Sequence, residues 1–102
     1  MRRELMRLEM RDLRLAVAMD ELKTLTQAAQ RLHLTPSALS HQLADLEGRL
    51  GALLFERSGR RLIATHLGEL LCANARRALA GVEDVERVLA GVERIAAGRR
   101  VG

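Results

Sequence analysis

The sequence is poor in the residues that build aromatic cores and rigid loops. Phe55 is the only aromatic residue and Pro36 the only proline among 102 residues. The apolar residues are mainly leucine, alanine and valine, so any core is aliphatic, and this composition favours helices over a strand-rich sandwich. A chain of this length suits one small domain with an appendage, but not two full cores.

Cysteine and metal-binding patterns are also scarce. Cys72 is the single cysteine, so no disulfide can form within the chain, which fits a reducing compartment. The histidines lack cysteine or histidine partners at zinc-ligand spacing, and His33 is expected at a helix corner whose left-handed backbone tolerates histidine. Cys72 lies among apolar neighbours, which is typical of a buried side chain and not of a nucleophile. We therefore predict no enzyme, and no metal or cofactor held by this chain.

Long apolar runs are missing as well. None approaches the ~20 residues of a membrane span, and the Arg- and Glu-rich start lacks the apolar stretch of a signal peptide. We therefore expect a cytoplasmic protein without membrane contact. The formal charge is +4, and 16 of the 17 cationic residues are arginine. The donor fork of arginine matches phosphates and guanine edges, which favours a nucleic-acid partner, although a GC-rich genome also raises arginine content.

Helix signals predict three short helices in the first half of the chain. The first runs from Met10 to about Leu22, and the stretch "KTLT" ends it. Thr26 is predicted to cap a second helix over "QAAQRL". Thr35 caps the third, which has the proline at its first position and ends at Gly51. About three residues join the second and third helices, which is the helix-turn-helix pattern.

A short hairpin follows, and then a long helix. The stretch "LLFERSGRRLIATH" predicts two strands around a Ser58-Gly59 turn, with Arg60 and Arg61 forming a basic tip. Because a hairpin this small is stable only when it packs against helices, we expect it to form a wing. Thr65 is predicted to cap the last helix, which extends to about residue 97.

The last helix carries an apolar seam at heptad spacing. A helix of ~30 residues is roughly 45 Å long, too long for so small a core to cover, so its free part needs a partner. We predict a homodimer through residues 66–97, while a helix folded back on its own domain is the alternative. The predicted domains are 1–65, with residues 1–9 as a possible extension, and 66–102, the linker helix and tail. The seam residues are Leu71, Ala75, Ala78, Val82, Val85, Leu89 and Val92.

The third helix begins with a face of short polar side chains. Pro36, Ser37, Ser40 and His41 lie opposite its leucine stripe, and Gln42 flanks them. Short neutral donors and acceptors at a helix N-terminus suit base edges in a major groove, and the helix dipole favours nearby phosphates. An ordinary solvated face is the alternative. The preceding corner, the basic hairpin and the long helix together favour DNA binding.

The order of these motifs resembles the DNA-binding domain of LysR-type transcriptional regulators. The matching stretches are "QAAQRLHLT", "SALSHQLADLE.RLG", "LFERSGRR" and "T..GE", and the resemblance covers about residues 10–95. It implies a winged helix-turn-helix followed by a dimerising linker helix, a homodimer or tetramer of the full-length protein on operator DNA, and a bacterial origin. A small-molecule effector would bind a further C-terminal domain. The stretch "SALSHQ" is similar to the methionine-biosynthesis regulators of this family.

The resemblance also implies roles for individual residues. Base reading falls to Pro36, Ser37, Ser40 and His41. Contacts to the DNA backbone or minor groove fall to Thr26, Thr35, Gln42, Arg60 and Arg61. The sequence departs from the family pattern at Ser37, where proline is usual, at His41, where arginine is common, and at His66, where proline normally opens the linker helix. These departures imply a different base preference and a softer junction between wing and linker helix.

Other assignments stay open at this point. The winged-helix domain of molybdate-responsive regulators has the same architecture, and only sequence beyond Gly102 separates the two families. A helical interaction module with an incidentally basic surface is a further alternative. Such a module would bind DNA without sequence preference.

Overall fold

The computed structural model describes residues 7–99; residues 1–6 of the predicted N-terminal extension and 100–102 of the predicted tail lie outside it. Within the described part, four helices and one two-stranded antiparallel sheet follow in the predicted order of a winged helix-turn-helix with a long final helix. The mainly helical fold is therefore confirmed. The elements are α1 Met10–Leu22, α2 Leu25–Arg31, α3 Pro36–Leu50, β1 Phe55–Ser58, β2 Arg61–Ala64 and α4 His66–Arg99.

Caps and left-handed residues end the helices at most of the predicted places. The Thr35 side chain accepts a hydrogen bond from the backbone N–H three residues on, at 3.1 Å, and Gly51 ends α3 at φ 72°. The Thr65 hydroxyl accepts the corresponding bond at the start of α4, also at 3.1 Å. His33 occupies the corner between α2 and α3 at φ 58°. These features depend on local backbone geometry, so the sequence is sufficient to predict them.

The cap of α2 is an exception. Thr24, and not Thr26, caps this helix, because the Thr24 hydroxyl accepts a hydrogen bond from the N–H of Gln27 at 3.2 Å. Thr26 instead lies exposed in the first turn. Thr24 is extended, at φ −134° and ψ 146°, and pairs with Arg61 of β2 in an isolated antiparallel bridge. This tertiary pairing holds Thr24 itself in an extended conformation, and the helix starts directly after it.

An aliphatic core forms where the helices meet the base of the sheet. Ala28 and Ala29 are fully buried, which lets α2 pack closely against its neighbours. Phe55, the sole aromatic residue, is buried at the start of β1. The largest fully buried side chains are Leu15, Met19, Leu39, Leu46, Leu54 and Cys72.

One buried carboxylate ties α1 to α3. Asp12 is 2% exposed; it accepts hydrogen bonds from the N–H of Glu9 at 2.9 Å and from Nη2 of Arg49 at 3.1 Å. The hydrogen bond from Arg49 to Asp12 raises the pKa of the guanidinium. A buried charge without a partner is costly, so this pair fixes the start of α1 against the last turns of α3.

The strands β1 and β2 form a wing whose base is bound to α3. Its turn lies one residue later than predicted, with Gly59 in the left-handed region at φ 62°. The strands are also shorter than predicted, since residues 53–54 precede β1. The carboxylate of Glu47 accepts hydrogen bonds from the N–H groups of Leu54, at 2.6 Å, and Phe55, at 3.3 Å. The chain therefore enters the wing in a direction that α3 determines.

The long helix α4 has one half that packs on the domain and one half that projects from it. Gly68, Cys72 and Ala75 are buried, whereas most residues after about position 80 are exposed. The helix has 34 residues, about 51 Å at 1.5 Å per residue, and the molecule measures 61 Å in its longest direction. Over the part of the chain that the structure describes, no helix has both the length and the apolarity needed to cross a membrane.

Candidate nucleic-acid interface

The predicted base-reading residues share one surface of α3. A shallow groove of about 380 Å³ is lined by this face and by one residue of α2. Ser40 is half-buried there, while Ser37 and His41 are exposed. The side chains present hydroxyl and imidazole groups, which can both donate and accept hydrogen bonds. The residues that line the groove are Leu25, Pro36, Ser37, Ser40, His41 and Ala44.

The acidic residues of α3 are occupied by contacts within the domain. Asp45 accepts a hydrogen bond from Nε of Arg49 at 3.0 Å, and Glu47 binds the N–H groups at the start of the wing. The first turn of α3 contains no acidic residue. The end of α3 that faces the groove is thus free of negative charge, which suits a polyanionic partner.

The predicted backbone contacts lie on both sides of this groove. Thr35 and Gln42 line an adjoining groove together with Arg11 of α1, which sequence reasoning did not select. Thr26 lies on the other side, in a cleft of about 550 Å³ between the start of α2 and the wing, which Arg60 also lines. Both grooves therefore place hydrogen-bond donors next to the polar face of α3. Arg11 follows Glu9 and Met10 in a charged stretch, so its position beside α3 was not apparent from the pattern.

The wing carries three arginines, one of which contacts α3. Arg60 lies in the turn and Arg61 begins β2, and both are exposed. Arg57 lies on β1, and its Nη2 donates a hydrogen bond to the Ser40 hydroxyl oxygen at 3.2 Å. Sequence reasoning missed Arg57. The alternation of side chains along a strand could have found it, because Arg57 lies two residues after the buried Phe55 and so on the same face of the wing.

A second candidate surface lies on the projecting half of α4. We call it the distal apolar stripe, and its members are 57–64% exposed. The stripe is wider than the predicted seam, since it adds Val88 and Ile95, and spacings of three and four residues place its members on one broad side of the helix. The stripe consists of Val85, Val88, Leu89, Val92 and Ile95.

The first turns of the predicted seam have a different environment. Ala75 is buried and Leu71 half-buried against the domain's own core, so these two residues already have a packing partner within the chain. Ala78 is exposed and Val82 half-buried, at the transition to the projecting half. Only the part of the seam from about residue 78 onward is available for another molecule.

Comparison with known proteins identifies a family. The model for the bacterial regulatory helix-turn-helix proteins of the lysR family matches residues 10–69. HTH-type transcriptional regulator MetR from Haemophilus influenzae is 41% identical over 92 residues, covering 90% of this chain and 30% of MetR. GbpR from Azospirillum brasilense is 42% identical over 89 residues, covering 83% of this chain and 26% of GbpR. The chain thus spans about a third or less of these relatives' length, and their near-equal identities do not single out a subgroup.

Solved structures resemble the fold over most of the chain. A CbnR DBD–DNA complex has a TM-score of 0.72 and 32% identity, covering 83% of this chain and 99% of the CbnR chain. A BenM DBD in complex with benA site 1 DNA has a TM-score of 0.72 and 34% identity, covering 89% and 99% of the two chains. Oxidised OxyR from Corynebacterium glutamicum has a TM-score of 0.80 and 34% identity, covering 90% of this chain and 28% of OxyR.

Proposed function

This chain belongs to the lysR family of bacterial regulatory helix-turn-helix proteins, and we propose that it binds operator DNA sequence-specifically as a homodimer. In this proposal α3 enters the major groove and the wing lies over the adjacent minor groove. The observation that carries it is the contact of Arg57 with Ser40, which joins the polar start of α3 and the arginine-bearing wing into one surface. Hydrogen-bonding groups meet base edges on this surface, while cationic groups meet phosphates.

Residue roles follow from position on this surface. Ser37, Ser40 and His41 are the base-reading residues, and Pro36 packs against the bases in the major groove. Arg60 and Arg61 contact the minor groove or its phosphates. The flanking donors to the backbone are Thr26, Thr35 and Gln42, to which the structure adds Arg11.

The homodimer is proposed from the distal apolar stripe. Five large apolar side chains more than half exposed on one helix are costly in water, and burying each is worth roughly 1.5–3 kcal/mol. A second copy of α4 offers a matching stripe, as coiled-coil seams do. Dimers read paired half-sites, so we expect an operator with two related halves.

Regulation lies outside this chain in the proposal. Because the chain spans 30% of MetR, we propose that a further C-terminal domain of the full-length protein binds a small-molecule effector. The lysR match does not favour the molybdate-responsive alternative. The similarity to DBD–DNA complexes likewise disfavours an interaction module without DNA.

The test is a selection of preferred sites from randomised duplexes at fixed salt. The parent should enrich a two-part site, and Ser37→Ala or His41→Ala should lose preference at one position in each half. Each lost base contact should cost about 1–3 kcal/mol of discrimination, while binding to random duplex stays nearly constant. His41→Arg, which introduces the family's common residue, should bind more tightly with altered base choice.

Glu83→Ala, on exposed α4 away from the DNA face, is the matched control and should select the parent's site. Identical preferred sites for the parent and both alanine variants would show that α3 does not read sequence. The absence of any enriched site for the parent would refute specific DNA binding itself.

A further inference from the structure

Arg57 lies on the inner face of the wing. The register pairs Arg57 with Leu62, and Phe55 with Ala64. Since side chains on one face alternate with those on the other, Arg57 is on the same face as the buried Phe55 and Leu62. Its guanidinium therefore extends past the edge of the core toward α3, whereas Arg61, one residue before Leu62, lies on the opposite face.

The wing that carries Arg57 is held to the helices on two sides. The N–H of Leu62, its partner in the register, donates to the carbonyl of Lys23 at 2.7 Å. On the other strand, Glu47 of α3 accepts the N–H of Phe55 at 3.3 Å. The backbone around Arg57 is therefore positioned relative to α3 before any DNA is bound.

The contact between Arg57 and Ser40 has a defined direction. A guanidinium carries only donors, so in the 3.2 Å bond from Nη2 to Oγ the serine oxygen must be the acceptor. Within residues 7–99 the Ser40 hydroxyl donates no hydrogen bond, and the side chain of Arg57 makes no other hydrogen bond or ion pair. The bond thus occupies a lone pair of Ser40 and leaves its proton free to donate to another group.

We infer that Arg57 is a specificity-determining residue that acts through Ser40, by holding its hydroxyl as a hydrogen-bond donor to DNA. The inference rests on the proposed function, in which Ser40 faces a base. A free serine hydroxyl rotates and can either donate or accept, so it discriminates poorly among bases. With one lone pair taken and a cation beside the oxygen, donation is favoured over acceptance. Arg57 thereby converts an ambiguous contact into a directional one.

The expected base preference follows from the pattern of groups in the major groove. Guanine presents N7 and O6, adenine N7 and thymine O4 as acceptors, whereas cytosine presents only its N4 amine, a donor. On the strand that Ser40 contacts, the parent should therefore disfavour cytosine. If Arg57 is removed, the freed hydroxyl can accept from the N4 amine, and cytosine should become tolerated at this one position.

The experiment is a double-mutant cycle read by selection from randomised duplexes and by titration of single-base variants of the selected site. Arg57→Met keeps the apolar stem of the side chain and removes the donors. The variants are Arg57→Met, Ser40→Ala and the double variant. Arg57→Met should lower discrimination against cytosine at the Ser40 position by about two- to tenfold, the ratio that one net hydrogen bond gives. The double variant should lose no more discrimination against cytosine than Ser40→Ala does alone.

Arg60→Ala is the matched control, because Arg60 belongs to the same wing but does not contact Ser40. It should weaken binding to all duplexes and lower the salt dependence, leaving the cytosine penalty in place. The same pattern for Arg57→Met, with losses that add to those of Ser40→Ala, would show that Arg57 only contacts phosphate and would overturn the inference. A parent without a preferred site would instead refute the proposed function.

Discussion

At the scale of single residues, the start of α4 packs closely against the chain that precedes the wing. Thr65 donates its N–H to the Leu54 carbonyl at 2.9 Å, and its hydroxyl also donates to Leu53 and Leu54 carbonyl oxygens at 2.8 and 3.2 Å. Gly68 lies one turn later, and a Cβ added there would be 2.1 Å from the Leu54 carbonyl oxygen. Glycine is therefore required at this position by contact with backbone.

Gly68→Ala should destabilise the fold by about 1–3 kcal/mol, since either α4 or the chain before the wing must move. Gly91→Ala is the control: it lies in the same helix, and an added Cβ would meet no atom within 4 Å. This second substitution should stabilise the helix by up to about 1 kcal/mol. Urea unfolding of both variants measures the difference. Equal stability of the two variants would contradict the close approach of Gly68 to Leu54.

Cys72 is a buried side chain without a chemical role in the proposed function. It is 1% exposed, and its Sγ donates to the Ala16 carbonyl at 3.4 Å. Burial raises the pKa of the thiol to about 11, from 9.0. The native thiol should therefore react with iodoacetamide far more slowly at pH 8 than the urea-unfolded chain does. Stoichiometric labelling of the native protein within minutes would contradict this burial.

The same pKa shift predicts a pH dependence of stability. The folded state keeps the thiol proton to a higher pH than the unfolded state, so stability falls as pH rises from about 9 toward 11. The stability difference between the parent and Cys72→Ala should shrink over that range by at most about 3 kcal/mol. Paired urea titrations at pH 8 and pH 10.5 isolate this contribution, because all other groups are shared.

At the scale of elements, the wing and α3 form one unit. Glu47 binds the start of β1, the Lys23 carbonyl accepts the N–H of Leu62 in β2, and Arg57 contacts Ser40. Hydrogen bonds across these elements fix the spacing between the polar face of α3 and the tip of the wing. A rigid spacing of this kind allows the two elements to meet neighbouring grooves without reorganisation on binding.

The wing tip should contribute through charge. Arg60→Ala and Arg61→Ala should each weaken DNA binding and lower the slope of log K against log salt by roughly one unit per lost contact, and a dimer doubles that change. Because no base is read by these contacts, the preferred site should remain nearly the same. Titrations at several salt concentrations measure the slope. Unchanged affinity and slope in both variants would remove the wing from the interface.

At the scale of the whole molecule, α4 extends well beyond the core of the DNA-binding domain. Its first half packs against the domain, and acidic residues of α1 hold it there: Nη2 of Arg76 donates to Asp20 at 2.6 Å, and this hydrogen bond raises the pKa of Arg76. Its second half carries the distal apolar stripe. In the proposed homodimer, one helix therefore connects the DNA-binding domain to a second copy.

Val85→Glu should dissociate the proposed homodimer, because it places a charge within the distal apolar stripe. Ala90→Glu is the control on an exposed position of the opposite side of α4, and it should leave the dimer intact. Sedimentation equilibrium of the parent and both variants gives the association constants. A Val85→Glu protein that sediments as the parental dimer would exclude the distal apolar stripe as the interface.

The sequence by itself determined the helix-turn-helix order and most helix ends. Thr35, Gly51 and Thr65 act on their own backbone within one turn, and the leucines of α3 repeat at helical spacing, so neither feature needs information from distant residues. The polar start of α3 and the lysR resemblance could be recognised from the sequence for the same reason. Each is a property of a continuous stretch of chain.

The tertiary structure alone decided the features that join distant stretches. Thr24 caps α2 in place of Thr26 because β2 pairs with it, and Glu47 serves the wing because β1 starts beside α3. Leu71 and Ala75 face the core instead of a partner. The heptad pattern did not predict this, because an apolar residue at heptad spacing can pack equally well against the core or against a second helix. Arg57 meets Ser40 across 17 positions of sequence. Such contacts depend on the relative orientation of whole elements, which packing of the core fixes and local sequence does not encode.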